Sequence, residues 1–302
     1  MGAVVLTRSR DASGGRRASS IIDPEALLLL SLYLISAERR LRDLTRWWAD
    51  VGSELLSVQR TKTLAKKFPS SVEERLRMYG RWATRAGDKR WKKYAEDEEA
   101  DNLGRDRKGP EEPDLGSPSS LLLRLRAGFG VSAKADVLAF LLGIGEQPAT
   151  TKKAAGATGY SRATVHGALD DLSRAGFIQR TGTHAAEYFA PIGPWRGLLQ
   201  GPGDTDAFPP TWRYWGQVYV FLARARQWAQ GGGAQSRGAQ SGGTRSEYVM
   251  STRARDVFEE FRGAFEANRI QVPSPTQYRG EEYLDGFVKT AEEIIQWIPE
   301  HV

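Results

Sequence analysis

The chain has 302 residues, of which 40% are hydrophobic and 26% charged, a net charge of +6 and no cysteine. This suits two or three folded domains, and the missing thiols exclude disulfides, thiolate catalysis and cysteine-held metal sites. The three histidines, His166, His184 and His301, stand far apart; with no phosphate-binding glycine loop or nucleophile motif either, no cofactor, no metal and no enzymatic activity is expected.

In chain order, residues 1–22 carry Arg8, Arg10, Arg16 and Arg17 without the apolar core of a secretory signal, and read as a disordered arm of a cytoplasmic protein. The longest apolar stretch, residues 26–35, falls short of the roughly 20 residues a membrane helix needs, so no membrane association is expected. Residues 23–99 read as a helical domain. Asp23-Pro24-Glu25 is a strong helix start, and Leu27, Leu30, Leu34, Leu41, Leu44 and Trp48 predict one long amphipathic helix over residues 24–48. Its apolar side suits either a homodimer contact or packing against the carboxy-terminal helices.

Further helical patterns cover residues 51–68, a segment from Ser70-Ser71 through Trp82, and residues 89–99. The basic run Lys89-Arg90-Trp91-Lys92-Lys93 is followed by four acids and reads as a solvated helix, and the tryptophan clusters read as packing. Residues 100–120, rich in Gly, Pro and charge, form a linker. Residues 197–302 make a helical carboxy-terminal region with patterns at 212–227, 251–268 and 281–298. Within it residues 230–246, almost all Gly, Ala, Gln, Ser and Arg, form a disordered loop.

Residues 121–196 differ in kind. Ser132 can cap a helix with Val137, Leu138, Leu141 and Leu142 on one face, closed by Gly143 and Gly145. After an extended piece at 147–149, Thr150 or Thr151 can cap a second helix over 152–157. Gly159 supplies the turn, and Ser161 caps a third helix. In that helix Val165, Leu169 and Leu172 share one side, leaving Arg162, Ala163, His166, Gly167 and Asp170 on the wetter one. Residues 177–180 and 187–190 are strand-like and make a hairpin around a polar tip.

Over residues 155–178, built around Thr158-Gly159-Tyr160-Ser161 and ending in Gly176-Phe177-Ile178, the sequence resembles winged helix-turn-helix bacterial transcriptional regulators of the MarR/ArsR class. The resemblance extends over residues 132–192, about a fifth of the chain. It implies a mainly α protein whose winged helix-turn-helix is flanked by helical amino- and carboxy-terminal regions. It also implies sequence-specific binding of double-stranded DNA, with the third helix in the major groove and the hairpin tip on the backbone or in the minor groove. Ser161, Arg162, Thr164 and His166 are the expected base-reading residues. Thr150, Thr151, Lys152, Lys153, Tyr160, Arg180, Thr183 and His184 are the expected backbone contacts.

Two departures from the pattern stand out. Gly167 lacks the polar side chain that related recognition helices often carry there, and the tip, residues 182–186, is poor in arginine and lysine. A homodimer on a two-fold site is expected, because one recognition helix buries little surface. The alternative is an antitoxin-type interaction protein, whose winged helix autoregulates its operon while the flanking helices hold a protein partner.

Overall fold

A computed structural model describes residues 20–95, 112–113, 115–182, 186–199, 209–230, 243–272 and 281–301. The fold is mainly helical. In the first half, β1 (Ser20–Ile21) leads into α1 (Pro24–Leu34), α2 (Arg39–Val51), α3 (Val58–Ala65) and α4 (Ser71–Ala86), followed by a 3₁₀ segment at Lys89–Tyr94. Next come α5 (Leu121–Phe129), α6 (Ala133–Gly143), β2 (Ala149–Thr150), α7 (Thr151–Thr158), α8 (Arg162–Arg174), β3 (Gln179–Thr181), β4 (Glu187–Phe189) and α9 (Ile192–Leu199). The last elements are β5 (Thr211–Trp212), α10 (Trp215–Trp228), α11 (Gly243–Ala267) and α12 (Glu281–His301).

Two apolar cores organise these elements. The larger joins α1 to α4 with α10 to α12, so both ends of the chain build one helical body. Asp23 Oδ1 accepts from the Ala26 N–H at 3.0 Å and Pro24 opens the first turn, which starts α1 as the sequence predicts. Ala26, Leu27, Leu28, Leu29 and Leu32 are all buried, as a helix apolar on most sides must be. They pack within the chain, with α10, α2, α3 and α4 as neighbours. Of the two roles open to this apolar side, packing against the carboxy-terminal helices is the one the fold uses. Phe221 of α10 then meets Phe258 and Phe265 of α11 and Phe287 of α12 at ring-centroid distances of 5.3, 4.9 and 6.0 Å.

The single helix expected over residues 24–48 is corrected to two. The N–H groups of Ala37 and Glu38 both return to the Leu34 carbonyl, at 2.9 and 3.0 Å, and Glu38 caps α2 by accepting from the Arg40 N–H. The break lets α2 turn and bury Trp47 and Trp48 in the same body. Residues 51–68 are likewise divided, into a 3₁₀ turn at Ser53–Leu55 and α3, capped by the Ser57 hydroxyl. Of the helix expected over 89–99, Lys89–Tyr94 form a 3₁₀ segment instead, with Trp91 fully buried against Tyr79, and residues 96–99 lie outside the described residues.

The smaller core belongs to α5 to α9 and a three-stranded antiparallel sheet of order β2-β4-β3, in which Tyr188 is opposite both Ala149 and Arg180. Its helices α5 and α9 were not among the sequence expectations. Distant chain also enters it. Ile21 and Trp212, paired in the parallel β1–β5 ladder, lie against the end of α6. A Cβ on Gly143 would stand 2.7 Å from Ile21 Cδ1 and 2.9 Å from the Trp212 backbone nitrogen, so only glycine permits this approach. Ser20 to Ile22, read in the sequence as part of the arm, are therefore built into the fold. At the end of the expected linker, Ser119 accepts from the Ile22 N–H at 3.1 Å.

Candidate nucleic-acid interface

The elements expected over residues 132–190 form in the expected order. Thr150 caps α7 by accepting from the Lys153 N–H, and α7 ends at Gly159 with φ +79°, a left-handed turn that suits glycine. Ser161 Oγ caps α8 by accepting from the Thr164 N–H at 3.1 Å. Val165, Ala168, Leu169 and Leu172 share a core with Leu138, Leu141 and Leu142 of α6. The other side of α8 is open. Ser161, Arg162, Ala163, Thr164, His166 and Gly167 are all exposed, and a Cβ on Gly167 would meet nothing within 4 Å.

The four expected base-reading side chains therefore share one exposed surface at the start of α8. The hydroxyls of Ser161 and Thr164 are 2.8 Å apart, and His166 Nε2 is 3.4 Å from Asp170 Oδ2 one turn on. Lys152 and Lys153 on the first turn of α7 are exposed, as is Arg180 on β3, while Thr150 and Thr151 are half-buried. Thr183 and His184 lie outside the described residues. Tyr160 turns inward. Its hydroxyl donates to Asp136 Oδ2 at 3.2 Å, and burial followed by the Asp136 charge raises its pKa far above the ordinary phenol value.

Asp136 belongs to a buried ionic cluster that joins this segment to the helical body. Arg126 of α5, with no exposed side-chain surface, donates from Nε and Nη2 to both oxygens of Asp136 at 2.8 Å and from Nη1 to Glu25 Oε1 at 2.5 Å. Arg60 of α3 holds both oxygens of Asp23 at 2.6 Å and Glu25 Oε2 at 2.5 Å, and its Nε donates to the Thr158 carbonyl at 3.1 Å. Glu25 also accepts from the Ser57 N–H at 2.7 Å. Burial works against ionising Asp23, but the Arg60 charge and hydrogen bonds outweigh it, so its pKa lies below the ordinary value. The attraction of Asp23, Glu25 and Asp136 likewise overcomes the burial of Arg60 and raises its pKa well above the usual guanidinium value.

These carboxylates are engaged by fixed guanidinium donors, an arrangement that fastens elements together rather than one that moves protons. The sequence reading took Asp23 as a helix cap alone and missed the cluster. A signal was present: Arg126 lies in a leucine-rich helix with Leu121, Leu122, Leu123 and Leu125, and Asp136 stands beside Val137 and Leu138, opposite charges set next to apolar residues.

Among the described residues no cluster of three or more His, Asp or Glu side chains is placed to hold a metal ion, and no helix is long and apolar enough to cross a membrane. No protein-family model matches the sequence, and neither a curated protein nor a solved structure is detectably similar to it.

Proposed function

We propose that residues 132–192 act as a winged helix-turn-helix that binds double-stranded DNA sequence-specifically, and that the protein is a transcriptional regulator working in the cytoplasm. The observation that carries this reading is the two-sided character of α8. Its apolar side is locked into the core, while Ser161, Arg162, Thr164 and His166 stand together in solvent at its amino-terminal end, where a recognition helix meets base edges. The strand order β2-β4-β3 behind it agrees with a wing. Arg162 supplies the bidentate donor for guanine, and Lys152, Lys153 and Arg180 the phosphate contacts. Two copies on a palindromic site would supply the affinity that one helix lacks.

Selection of bound duplexes from a random-sequence pool, followed by titration of the enriched site, tests this directly. Arg162→Ala should weaken the enriched site by roughly 5- to 150-fold, the equivalent of about 1 to 3 kcal/mol, with little effect on random duplex. Failure to enrich any sequence would remove the reading.

One observation favours a second reading, in which the module also holds a protein. Phe129 and Phe177 are 39% and 37% exposed and pack with Trp195 in an aromatic cluster at the base of the hairpin. A stoichiometric protein that co-purifies with the wild type and is lost from Phe129→Ser would support an antitoxin-type role.

A further inference from the structure

A second positively charged surface adjoins the start of α8, and it belongs to the helical body. Arg60, in the first turn of α3, reaches the turn that precedes α8: its Nε donates to the Thr158 carbonyl, and a Cβ on Gly159 would stand 4.0 Å from that same nitrogen. The start of α3 and the turn into α8 are thus one side chain apart. Thr61 and Ala65 turn into the core, which leaves Gln59, Lys62, Thr63 and Lys66 exposed at the i, i+3, i+4 and i+7 positions of one outer side.

The charge on that side is of one sign. From Ser57 to Val72 the sequence holds Arg60, Lys62, Lys66 and Lys67 and no acid. Asp23 and Glu25, the nearest carboxylates on α1, are turned inward onto Arg60. Among the described residues no carboxylate pairs with Lys62 or Lys66. On α11 and α12, by contrast, exposed charges stand in pairs of a solvated helix, Arg262 with Glu259 and Lys289 with Glu293. An unbalanced basic helix next to a base-reading helix has the chemistry of a phosphate contact.

We propose that α3 is a second DNA contact, with Lys62 and Lys66 lying against the sugar-phosphate backbone beside the groove that α8 enters. This rests on the DNA-binding reading above and assigns the helical body a part in it. Arg60 ties α3 to the turn into α8, so on this assignment the two contacts add on one duplex.

Each phosphate contact releases counterions and adds about 0.9 to the slope of log K against log salt concentration. Binding of a mixed-sequence DNA duplex by the full-length protein is measured by fluorescence anisotropy across a salt series, for the wild type, K62A/K66A and K289A. The double variant changes only exposed side chains, and its thermal melting reports whether it is folded. The expected result is a slope smaller by about 1.8 in K62A/K66A, with affinity reduced alike for every sequence, and an unchanged slope in K289A. An unchanged slope in K62A/K66A, or an equal fall in K289A, overturns the assignment of α3 while leaving α8 as the reader. A wild type that binds no duplex at any salt concentration overturns both readings.

Discussion

Arg60 Nε donates to the carbonyl oxygen of Thr158 at 3.1 Å, and the other end of the same guanidinium grips both oxygens of Asp23 at 2.6 Å. One side chain of the helical body therefore holds both the start of α1 and the turn before α8. Replacing it with methionine leaves Asp23 and part of Glu25 buried without a counter-charge, which costs about 3 to 5 kcal/mol. Urea denaturation of Arg60→Met should show a loss of that size. A loss below about 1 kcal/mol, the range of an exposed pair, would mean that the cluster is not what fastens the two parts.

The same cluster is expected to contribute to the acid limit of the protein. Although burial alone would raise it, Arg60 holds the Asp23 pKa below its ordinary value of 3.8, and Arg90 does the same for Asp88. A carboxylate with a depressed folded-state pKa stabilises fully above its unfolded-state value and loses that contribution as pH falls through the folded one. Melting temperature should hold between neutral pH and about pH 5 and fall steeply below about pH 4. Asp23→Asn should lower stability at neutral pH and flatten the acid limb; an acid limb as steep as the wild type's would assign it to other groups.

Gly167 offers a gain rather than a loss. It lies inside α8 on the open side, where a methyl group would touch nothing within 4 Å. An interior helical glycine costs about 1 kcal/mol relative to alanine through the freedom it keeps when unfolded. Gly167→Ala is therefore expected to raise the melting temperature by roughly 2 to 4 °C. A lower melting temperature would show that α8 needs the glycine for a backbone departure that its regular geometry hides.

What could be read from the sequence was what is encoded locally. The Ser161 cap, the left-handed Gly159 and the Val165, Leu169, Leu172 stripe each depend on residues within a turn or two, and each formed where it was expected. The exposure of Arg162 and His166 followed from that stripe. Tyr160 shows the limit. A tyrosine next to a turn suits a phosphate or a buried carboxylate equally well, and only Asp136, 24 residues away, decides between them. The break between α1 and α2 was hidden for a related reason, since a heptad-like spacing of leucines runs across it and the cap at Glu38 is a local competitor that periodicity ignores. Arg126 finds Glu25 across 101 positions, a pairing for which no short-range pattern exists.

The parallel ladder of Ser20–Ile21 with Thr211–Trp212 bears on how this protein can be dissected. Its two strands come from either side of residues 121–196, and each leaves an apolar side chain against α6. Trimming the chain to its middle segment would strip away that cover and expose Phe140, whose ring meets Trp212 edge-on at 5.5 Å. Residues 121–196 are stitched in by sequence that flanks them on both sides, so biochemical work on them calls for the whole polypeptide.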